Sequence, residues 1–270
     1  MRDGSVSSPW EVRRRDAAGS RALGARTIAA VAVTRSAPDP RLVLGAIDGG
    51  RVLDVATGTG SFVAFLLDGL QSYEEIVGID ANAERAAAFE QALAGRSGVR
   101  FEAMDAHALA FPDASFDTVC ISNSLHHFED PAPILAEMLR VVRPGGHVVV
   151  NEMYRDGQSV SQLTHVLLHH WWAAVGRATG EVHRETYERA AIVEIVAGLG
   201  LADLRLHDLE DPTEDPHDPA TIAELDAAID RFMERAAGMP ELQARGEELR
   251  ARLREVGATS ATQLVAVGRR

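Results

Sequence analysis

The chain has 270 residues, of which 46% are hydrophobic and 5% are aromatic, and its formal net charge is −13. These values are typical of a folded globular protein and exclude a fibrous or disordered chain. All 27 basic residues are arginine, which excludes mechanisms that need a lysine amine, such as Schiff-base catalysis or a P-loop. The negative charge also argues against a nucleic-acid partner, and the single cysteine, Cys120, excludes an internal disulfide.

Residues 1–40 are predicted to form a loose N-terminal arm. No stretch of the sequence reaches the roughly 18 apolar residues of a membrane span, and the short apolar run Thr27–Val33 follows the acidic residues Asp3, Glu11 and Asp16. Acidic residues before a short apolar run are not typical of a signal or transit peptide. We therefore expect a cytoplasmic protein without a membrane span.

From residue 51 onward, short β-rich runs alternate with helical stretches. This alternation is typical of parallel strands joined by crossover helices, and it predicts an α/β, doubly wound sheet. The predicted strands are Arg51–Ala56, Glu75–Asp80, Val99–Asp105, Phe116–Ser122 and His147–Glu152. The predicted helices between them are Ser61–Leu70, Asn82–Ala94 and Asp130–Val142, the last of which ends at the sequence Arg-Pro-Gly-Gly.

The second half of the chain has a different organisation. It is predicted to contain helices at Ser161–Ala178 and Glu188–Leu199 and strands at Leu201–Leu209 and Thr262–Val267, with two amphipathic helices between these strands. We predict one domain over residues 41–270, with a helical lid at 153–185 and a helical insertion at 211–257. The insertion is interpreted as a structural cap or an oligomer contact rather than a substrate lid, so a homodimer is plausible.

Glycine and acidic residues occur where the first three predicted strands end. The first strand runs into Gly58 and Gly60 at a strand-to-helix turn, where the backbone can approach a ligand closely. The second strand ends in Asp80, 22 residues after Gly58, where a carboxylate can accept both hydroxyls of a ribose. Asp105 ends the third strand, within reach of an adenine amino group. Together these strand ends predict a site for an adenosine-containing cofactor.

The turn departs from the pattern that binds dinucleotides. Val63 occupies the position of the third glycine in G-x-G-x-x-G, which weakens the case for a nicotinamide or flavin cofactor. Asp54 lies four residues before Gly58, where a carboxylate fits opposite an ammonium group better than opposite a diphosphate. A nicotinamide-dependent oxidoreductase remains an alternative from the same fold.

Four segments, in this order and spacing, resemble one family of enzymes. They are VLDVATGTGSF, GID, MDAHALAFPDASFDTVCISNSLHHFEDP and LRVVRPGG. As a set they are similar to the class I S-adenosylmethionine-dependent methyltransferases, in particular the type 11 branch with the ubiquinone and menaquinone biosynthesis methyltransferases. The resemblance covers about residues 45 to 152.

The resemblance implies a seven-stranded, Rossmann-like sheet whose last strand is antiparallel, and S-adenosylmethionine as the cofactor. It implies that the glycine turn contacts the methionine end of this cofactor. The end of the second strand would contact its ribose, and the end of the third strand would contact its adenine. The implied cofactor-binding residues are Asp54, Ala56, Gly58, Gly60, Asp80, Ala81, Asp105, Ala106 and Asn123. Ala56 stands where the family's motif often has glycine.

A methyl sulfonium is already activated, so an enzyme mainly aligns the acceptor and excludes water, with a general base only where the acceptor loses a proton. The sequence Ser122-Asn123-Ser124-Leu125 lacks the Asn/Asp-Pro-Pro-aromatic tetrad of the enzymes that methylate DNA adenine or protein glutamine. We therefore expect methylation of O, N or C on a small molecule, either quinone-like or a specialised metabolite. A protein that binds the cofactor without catalysis is a second alternative.

Histidines follow the fourth strand and recur on the helix after the fifth. His126 and His127 lie where the fold places one edge of an acceptor pocket, and either is a candidate base or a packing residue. His165 and His169 share one face of the predicted lid helix with Trp172, and they are also candidates for lining the pocket. With His183 they could form a metal site, but packing or interface roles are commoner, so the prediction includes no metal.

Overall fold

A mixed β-sheet forms the centre of the fold. The computed structural model describes residues 34–36 and 39–270, which belong to one compact unit. The strands are β1 (Thr34–Ser36), β2 (Arg51–Val55), β3 (Glu75–Asp80), β4 (Val99–Ala103), β5 (Phe116–Ser122), β6 (Val142–Met153), β7 (Ala202–Leu209) and β8 (Gln263–Arg269). The helices are α1 (Pro40–Leu44), α2 (Ser61–Gly69), α3 (Arg85–Ala92), α4 (Ala132–Val141), α5 (Val160–Ala178), α6 (Arg189–Gly198), α7 (Pro219–Arg235) and α8 (Pro240–Val256).

The strand order is β1-β7-β8-β6-β5-β2-β3-β4. β8 runs antiparallel to both of its neighbours, β6 and β7, whereas the remaining pairs are parallel. The predicted α/β sheet with an antiparallel last strand is thus confirmed for β2 to β8. β1 adds a short eighth strand at the edge. Of the predicted arm over residues 1–40, the structure describes β1 and the two residues Asp39 and Pro40 at the start of α1.

Apolar side chains cover both faces of the sheet. On one face, α4 and α6 contribute Ile134, Met138, Ile192 and Val196 to a core that includes Ile121 of β5. On the other face, a second core is formed mainly by α1, α2, α3 and the strand residues that point toward them. Because both faces are buried, the central strands are continuous apolar runs and do not alternate.

The helices α5, α7 and α8 pack together into a third apolar core, and we call these three helices the helical cover. Trp171 of α5 lies at its centre, 3% exposed, and its indole Nε1–H donates to the backbone oxygen of Leu242 at 2.8 Å. The predicted helical insertion therefore packs against the predicted lid helix. None of the helices among the described residues has the length and apolar character needed to cross a membrane.

Two predicted boundaries were wrong for identifiable reasons. Helix α3 begins at Arg85, not at Asn82, because the Asn82 N–H and side chain are used in turn hydrogen bonds with Asp80 and Glu84. β6 begins at Val142, five residues before the predicted His147, because Val142 pairs with Phe116 across a register irregularity in β5. The Arg-Pro-Gly-Gly sequence therefore lies inside the strand.

Candidate functional site

A cavity of about 550 Å³ opens at the carboxyl ends of β2, β3, β4 and β5. In a parallel sheet this edge is where crevices for nucleotides form. Eight of the nine predicted cofactor-binding residues line the cavity: Asp54, Ala56, Gly58, Asp80, Ala81, Asp105, Ala106 and Asn123. We call this cavity the cofactor pocket.

The two glycines of the turn after β2 have different roles. Gly58 has a φ of +58°, and a Cβ atom built there would lie no closer to other atoms than 3.6 Å, the distance to an Arg85 nitrogen. Gly60 has a φ of +87°, and its Cβ would come within 2.8 Å of Leu93 and 2.9 Å of Phe89. Gly58 therefore keeps the cofactor pocket open, whereas Gly60 lets the turn pack on α3. Gly60 is the one predicted cofactor-binding residue that does not line the pocket.

Asp80, at the end of β3, faces the glycine turn. Its carboxylate accepts the Gly58 N–H at 3.0 Å and the Asn82 N–H at 2.9 Å, and the Arg85 guanidinium lies 3.6 Å away. These contacts fix the carboxylate beside the turn and within the pocket wall. Arg85 also lines the pocket, and no motif in the sequence had indicated it.

Asp54 is a buried carboxylate with one unpaired oxygen. Its side chain is almost completely buried; Oδ2 accepts the Thr57 hydroxyl at 2.6 Å, and Oδ1 has no hydrogen-bond partner among the described residues. Burial raises the pKa of Asp54 to about 7, and the nearby charge of Asp80 adds to the effect. A buried acceptor without a partner is costly, so this site favours a ligand that brings a cation or a hydrogen-bond donor.

Asp105, two residues after the end of β4, also lines the pocket and is exposed. Its Oδ1 accepts the backbone N–H of His107 at 2.9 Å and lies 2.8 Å from the ring Nδ1 of the same residue. These hydrogen bonds lower the pKa of Asp105, with the backbone bond contributing most. The carboxylate is thus an ionised acceptor at the mouth of the pocket.

Two residues that line the pocket have left-handed backbone conformations although they are not glycine. Ala56 has a φ of 56° and Asn123 a φ of 44°. Such conformations cost free energy in L-residues and tend to occur at functional sites. The conformation of Ala56 gives a physical reason why glycine suits this position. The Asn123 side chain is held in place because its Oδ1 accepts the Met153 N–H at 2.9 Å.

A second, smaller cavity of about 270 Å³ adjoins the cofactor pocket and shares Ser61, Phe62, Ser122 and Asn123 with it. Amide side chains line one wall, where Asn151 Nδ2–H donates to Gln263 Oε1 at 2.6 Å. Three carboxyl side chains line another part, namely Glu210, Asp211 and Glu214. We call it the adjoining cavity.

Four imidazole rings come together beside the cofactor pocket, and we call them the histidine cluster: His126, His127, His169 and His183. Each ring offers one nitrogen, and these four nitrogens all lie within 4.8 Å of one another. The Nε2 atoms of His126 and His169 are 2.9 Å apart, and those of His169 and His183 are 3.1 Å apart. His127 also lines the cofactor pocket, so the cluster borders that pocket on one side.

Glu152, near the end of β6, fixes the inner side of the cluster. Its Oε1 lies 2.8 Å from His126 Nδ1, its Oε2 accepts the Leu125 N–H at 2.9 Å, and both side chains are fully buried. Glu152 is not among the site residues predicted from the sequence. The rule that singled out Asp80, an acidic residue at the end of a parallel strand, would also have found it.

Burial keeps the other rings of the cluster neutral. It lowers the pKa of His127 to about 3 and that of His183 to about 4, with the neighbouring His126 as the next cause in both cases. Burial also lowers the pKa of His169 well below its ordinary value. Neutral imidazoles keep one ring nitrogen with a lone pair, which can accept a proton or bind a metal.

His165 does not belong to the cluster. Its Nδ1 accepts the Ala261 N–H at 3.1 Å, and the ring lines a different cavity together with Glu214 and Asp218. The grouping considered from helical spacing, His165 with His169 and His183, is therefore not the one that the structure brings together. His126 is also placed differently from the expectation, because it is fully buried and lines no described cavity.

Comparison with known proteins connects the cofactor pocket to one family. Residues 53–150 match the family model described as a methyltransferase domain. The demethylmenaquinone methyltransferase of Deinococcus radiodurans is 45% identical over 103 residues, which cover 38% of this chain and 42% of that protein. A ubiquinone/menaquinone biosynthesis C-methyltransferase of Geobacter sulfurreducens is 37% identical over 108 residues, or 39% of this chain and 42% of that protein. The matches thus span less than half the length of these curated relatives.

Solved structures extend the likeness of the fold over most of the chain. The cyclase SpnF superposes with a TM-score of 0.58 at 21% identity, covering 86% of this chain and 78% of SpnF. The YcgJ protein of Bacillus subtilis gives a TM-score of 0.54 at 19% identity, covering 86% of this chain and 98% of YcgJ. At such identities the likeness shows the fold and not the reaction. Residues 53–150 of this chain thus match a methyltransferase domain, and the solved structures show that most of the chain shares the fold of SpnF and YcgJ.

Proposed function

We propose that the protein transfers the methyl group of S-adenosylmethionine to a small-molecule acceptor. The observation that carries the proposal is Asp54, whose buried Oδ1 has no partner at the base of the cofactor pocket. The ammonium group of the cofactor's methionine end would pair with this oxygen and remove the cost of leaving it unpaired. The nearby Gly58 turn leaves room for the ligand to approach the backbone.

The remaining pocket residues suit the other parts of the same cofactor. Asp80 is held by backbone N–H groups beside the turn, where its carboxylate oxygens can also accept ribose hydroxyls. Asp105 offers a carboxylate for the adenine amino group, and Ala106 lines the same pocket. When bound, the cofactor supplies an activated methyl group, and the protein's task is to orient the acceptor and exclude water.

We place the acceptor in the adjoining cavity, because this cavity shares Ser122 and Asn123 with the cofactor pocket. Its amide side chains can orient a polar acceptor. Its three carboxyl groups, those of Glu210, Asp211 and Glu214, disfavour an acceptor with a negative charge. A neutral or cationic small molecule therefore fits best, and a neutral quinone-type acceptor, as named for the relatives, is within this class.

The assignment of the pocket is tested by calorimetry with S-adenosylhomocysteine, the demethylated product. We expect the wild-type protein to bind it and Asp80→Ala to lose about 100-fold in affinity, the upper range for a charge-assisted hydrogen bond. Asp68→Ala is the matched control, because Asp68 is an exposed acidic residue on α2 and does not line the pocket. Undiminished binding by Asp80→Ala, or binding of NADH in place of the homocysteine compound, would reject the assignment.

Catalysis needs a separate measurement. Methyl-labelled S-adenosylmethionine is incubated with the protein and a small-molecule cell extract, and transfer of label to extract compounds is followed. Transfer that disappears with Asp80→Ala supports the enzyme. Tight cofactor binding without any transfer would instead indicate a protein that binds the cofactor as a structural or regulatory ligand.

A further inference from the structure

We propose that the histidine cluster is a binding site for a divalent transition-metal ion of the Zn²⁺ type, with His126, His169 and His183 as ligands through Nε2. His127 supplies a fourth nitrogen on the side of the cofactor pocket. The proposal rests on the geometry of the cluster and does not depend on which reaction the pocket supports.

The ring nitrogens of the cluster converge on one small space. Nitrogens bound to one tetrahedral Zn²⁺ at about 2.0–2.1 Å lie about 3.3 Å from one another. The observed Nε2 separations of 2.9 Å and 3.1 Å around His169 are shorter than this by only a few tenths of an ångström. Small side-chain shifts would therefore make room for an ion.

Two linear hydrogen bonds cannot account for both contacts of His169 Nε2. A ring nitrogen carries either one proton or one lone pair in the plane of the ring. His169 Nε2 lies within hydrogen-bond distance of both His126 Nε2 and His183 Nε2. If it donates to one of them it has no lone pair for the other, and if it accepts from one its lone pair is already used. An ion between the three rings takes one lone pair from each and removes this conflict.

The orientation of His126 also suits a metal ligand. Its Nδ1 faces the carboxylate of Glu152 at 2.8 Å, so Nδ1–H donates to Glu152 and the lone pair of Nε2 points toward the other rings. A ligating histidine that donates its other N–H to a carboxylate is a recurrent arrangement at zinc sites. Glu152 is itself held by the Leu125 N–H, and both side chains are fully buried.

The surroundings also limit the ways in which the rings can move. Trp172 contacts the His169 ring edge-on with ring centroids 6.1 Å apart, and its own ring stacks on Phe232 at 5.7 Å. Packing within the helical cover therefore restricts the His169 ring on the side of Trp172. Among the proposed ligands, His169 lies on α5, and a packed helix holds a ligand more precisely than a loop does.

The test uses the full chain, purified without a histidine tag and treated with a chelator. Zn²⁺ is titrated in competition with a chromophoric chelator, and Co²⁺ is titrated separately to follow its visible absorption. We expect about one equivalent of either ion per chain, and a Co²⁺ spectrum of the intense, tetrahedral kind. A wild-type protein that binds neither ion, or that gives only the weak spectrum of octahedral Co²⁺, would overturn the proposal.

Variants then locate the ion. We expect His169→Gln and His183→Gln to lower the affinity for Zn²⁺ by more than about 100-fold, since the loss of a group that merely orients a ligand already costs about 10–100-fold. His165→Gln, one turn away on the same helix, and His217→Gln, an exposed histidine outside the cluster, should bind as the wild type does. If all four variants bind alike, the ion is elsewhere on the surface and the proposal fails.

Circular dichroism and binding of S-adenosylhomocysteine check that each variant is folded. The same binding separates this proposal from the proposed function. A protein that binds the homocysteine compound but no metal disproves only the metal site. A protein that binds metal but not the homocysteine compound disproves only the assignment of the pocket.

Discussion

The cofactor pocket and the histidine cluster lie side by side at the same edge of the sheet, but they are constructed differently. The pocket is formed mainly by the ends of β2, β3 and β4 and the residues directly after them. The cluster combines His126 and His127 after β5, His169 from α5 and His183 from the segment that follows α5. Each site contains a buried carboxylate: Asp54 keeps an oxygen without a partner, whereas both oxygens of Glu152 are engaged.

This difference indicates what each site still requires. An unpaired carboxylate oxygen is satisfied by a donor from a ligand, so the pocket is complete only when its ligand is bound. In the histidine cluster, Glu152 already provides the carboxylate that orients His126. The ring nitrogens there offer more lone pairs than the nearby N–H groups can satisfy. The first site therefore favours an organic cation and the second a metal ion.

The largest effect is expected for Asp54→Asn, measured as stability against pH without ligand. Because the pKa of Asp54 is raised to about 7 in the folded state, the folded protein keeps a proton that the unfolded chain releases near pH 4. Asp54 should therefore contribute stability that is lost as pH rises from about 4 to about 7, by as much as about 4 kcal/mol, and this loss is measured as the change with pH in the difference between the wild type and the variant. The variant should lack this contribution and bind S-adenosylhomocysteine more weakly.

Chemical denaturation at a series of pH values gives the free energies of unfolding for this test. Asp68→Asn serves as the control and should follow the wild-type curve. If the curves of unfolding free energy against pH are parallel for the wild type and Asp54→Asn, the Asp54 carboxylate is paired in the folded protein. Asp54 and Glu152 would then no longer differ in this respect.

A smaller effect is expected for Glu152→Gln at the other site. Glutamine has one acceptor oxygen, so it cannot serve both the Leu125 N–H and His126. We expect a loss of about 1–3 kcal/mol in unfolding free energy and of about 10–100-fold in Zn²⁺ affinity. Binding of S-adenosylhomocysteine should stay unchanged, because Glu152 does not line the cofactor pocket. Glu188→Gln, which alters an exposed residue, is the matched control, and a variant with wild-type Zn²⁺ affinity would contradict the orienting role.

The smallest effects distinguish the two glycines within the pocket. In Gly60→Ala the new Cβ meets Phe89 and Leu93, so the free energy of unfolding should fall by about 1–2 kcal/mol. In Gly58→Ala the Cβ projects toward the pocket, and the affinity for S-adenosylhomocysteine should fall by about 10-fold with a smaller loss of stability. Thermal denaturation and calorimetry on both variants measure the two quantities. Equal losses of affinity would mean that both glycines serve the ligand.

Much of the fold and of the pocket could be predicted because the information is local. Strand ends such as Asp80 and turn residues such as Gly58 are recognisable within a few positions of the chain, and parallel strands place them at one edge. The opposite roles of Gly58 and Gly60 could not be predicted, because they depend on Phe89 and Leu93 of the next helical segment.

The histidine cluster could not be predicted for a related reason. His126 and His169 are 43 residues apart in sequence, and His169 and His183 are 14 apart. Helical periodicity places His165 and His169 on one side of α5, but it does not state what packs against each of them. In the structure Ala261 approaches His165, whereas His126 approaches His169. Only the packing of the helical cover on the sheet decides this.

The position of β8 has a consequence for the order of events during synthesis. This strand, Gln263–Arg269, lies between β6 and β7, and both of them hydrogen-bond to it and not to each other. A nascent chain that has not yet released residues 263–269 from the ribosome therefore has a gap in the middle of its sheet. The five parallel strands β6, β5, β2, β3 and β4 can pair during translation. β7 joins them only after the ribosome has released β8.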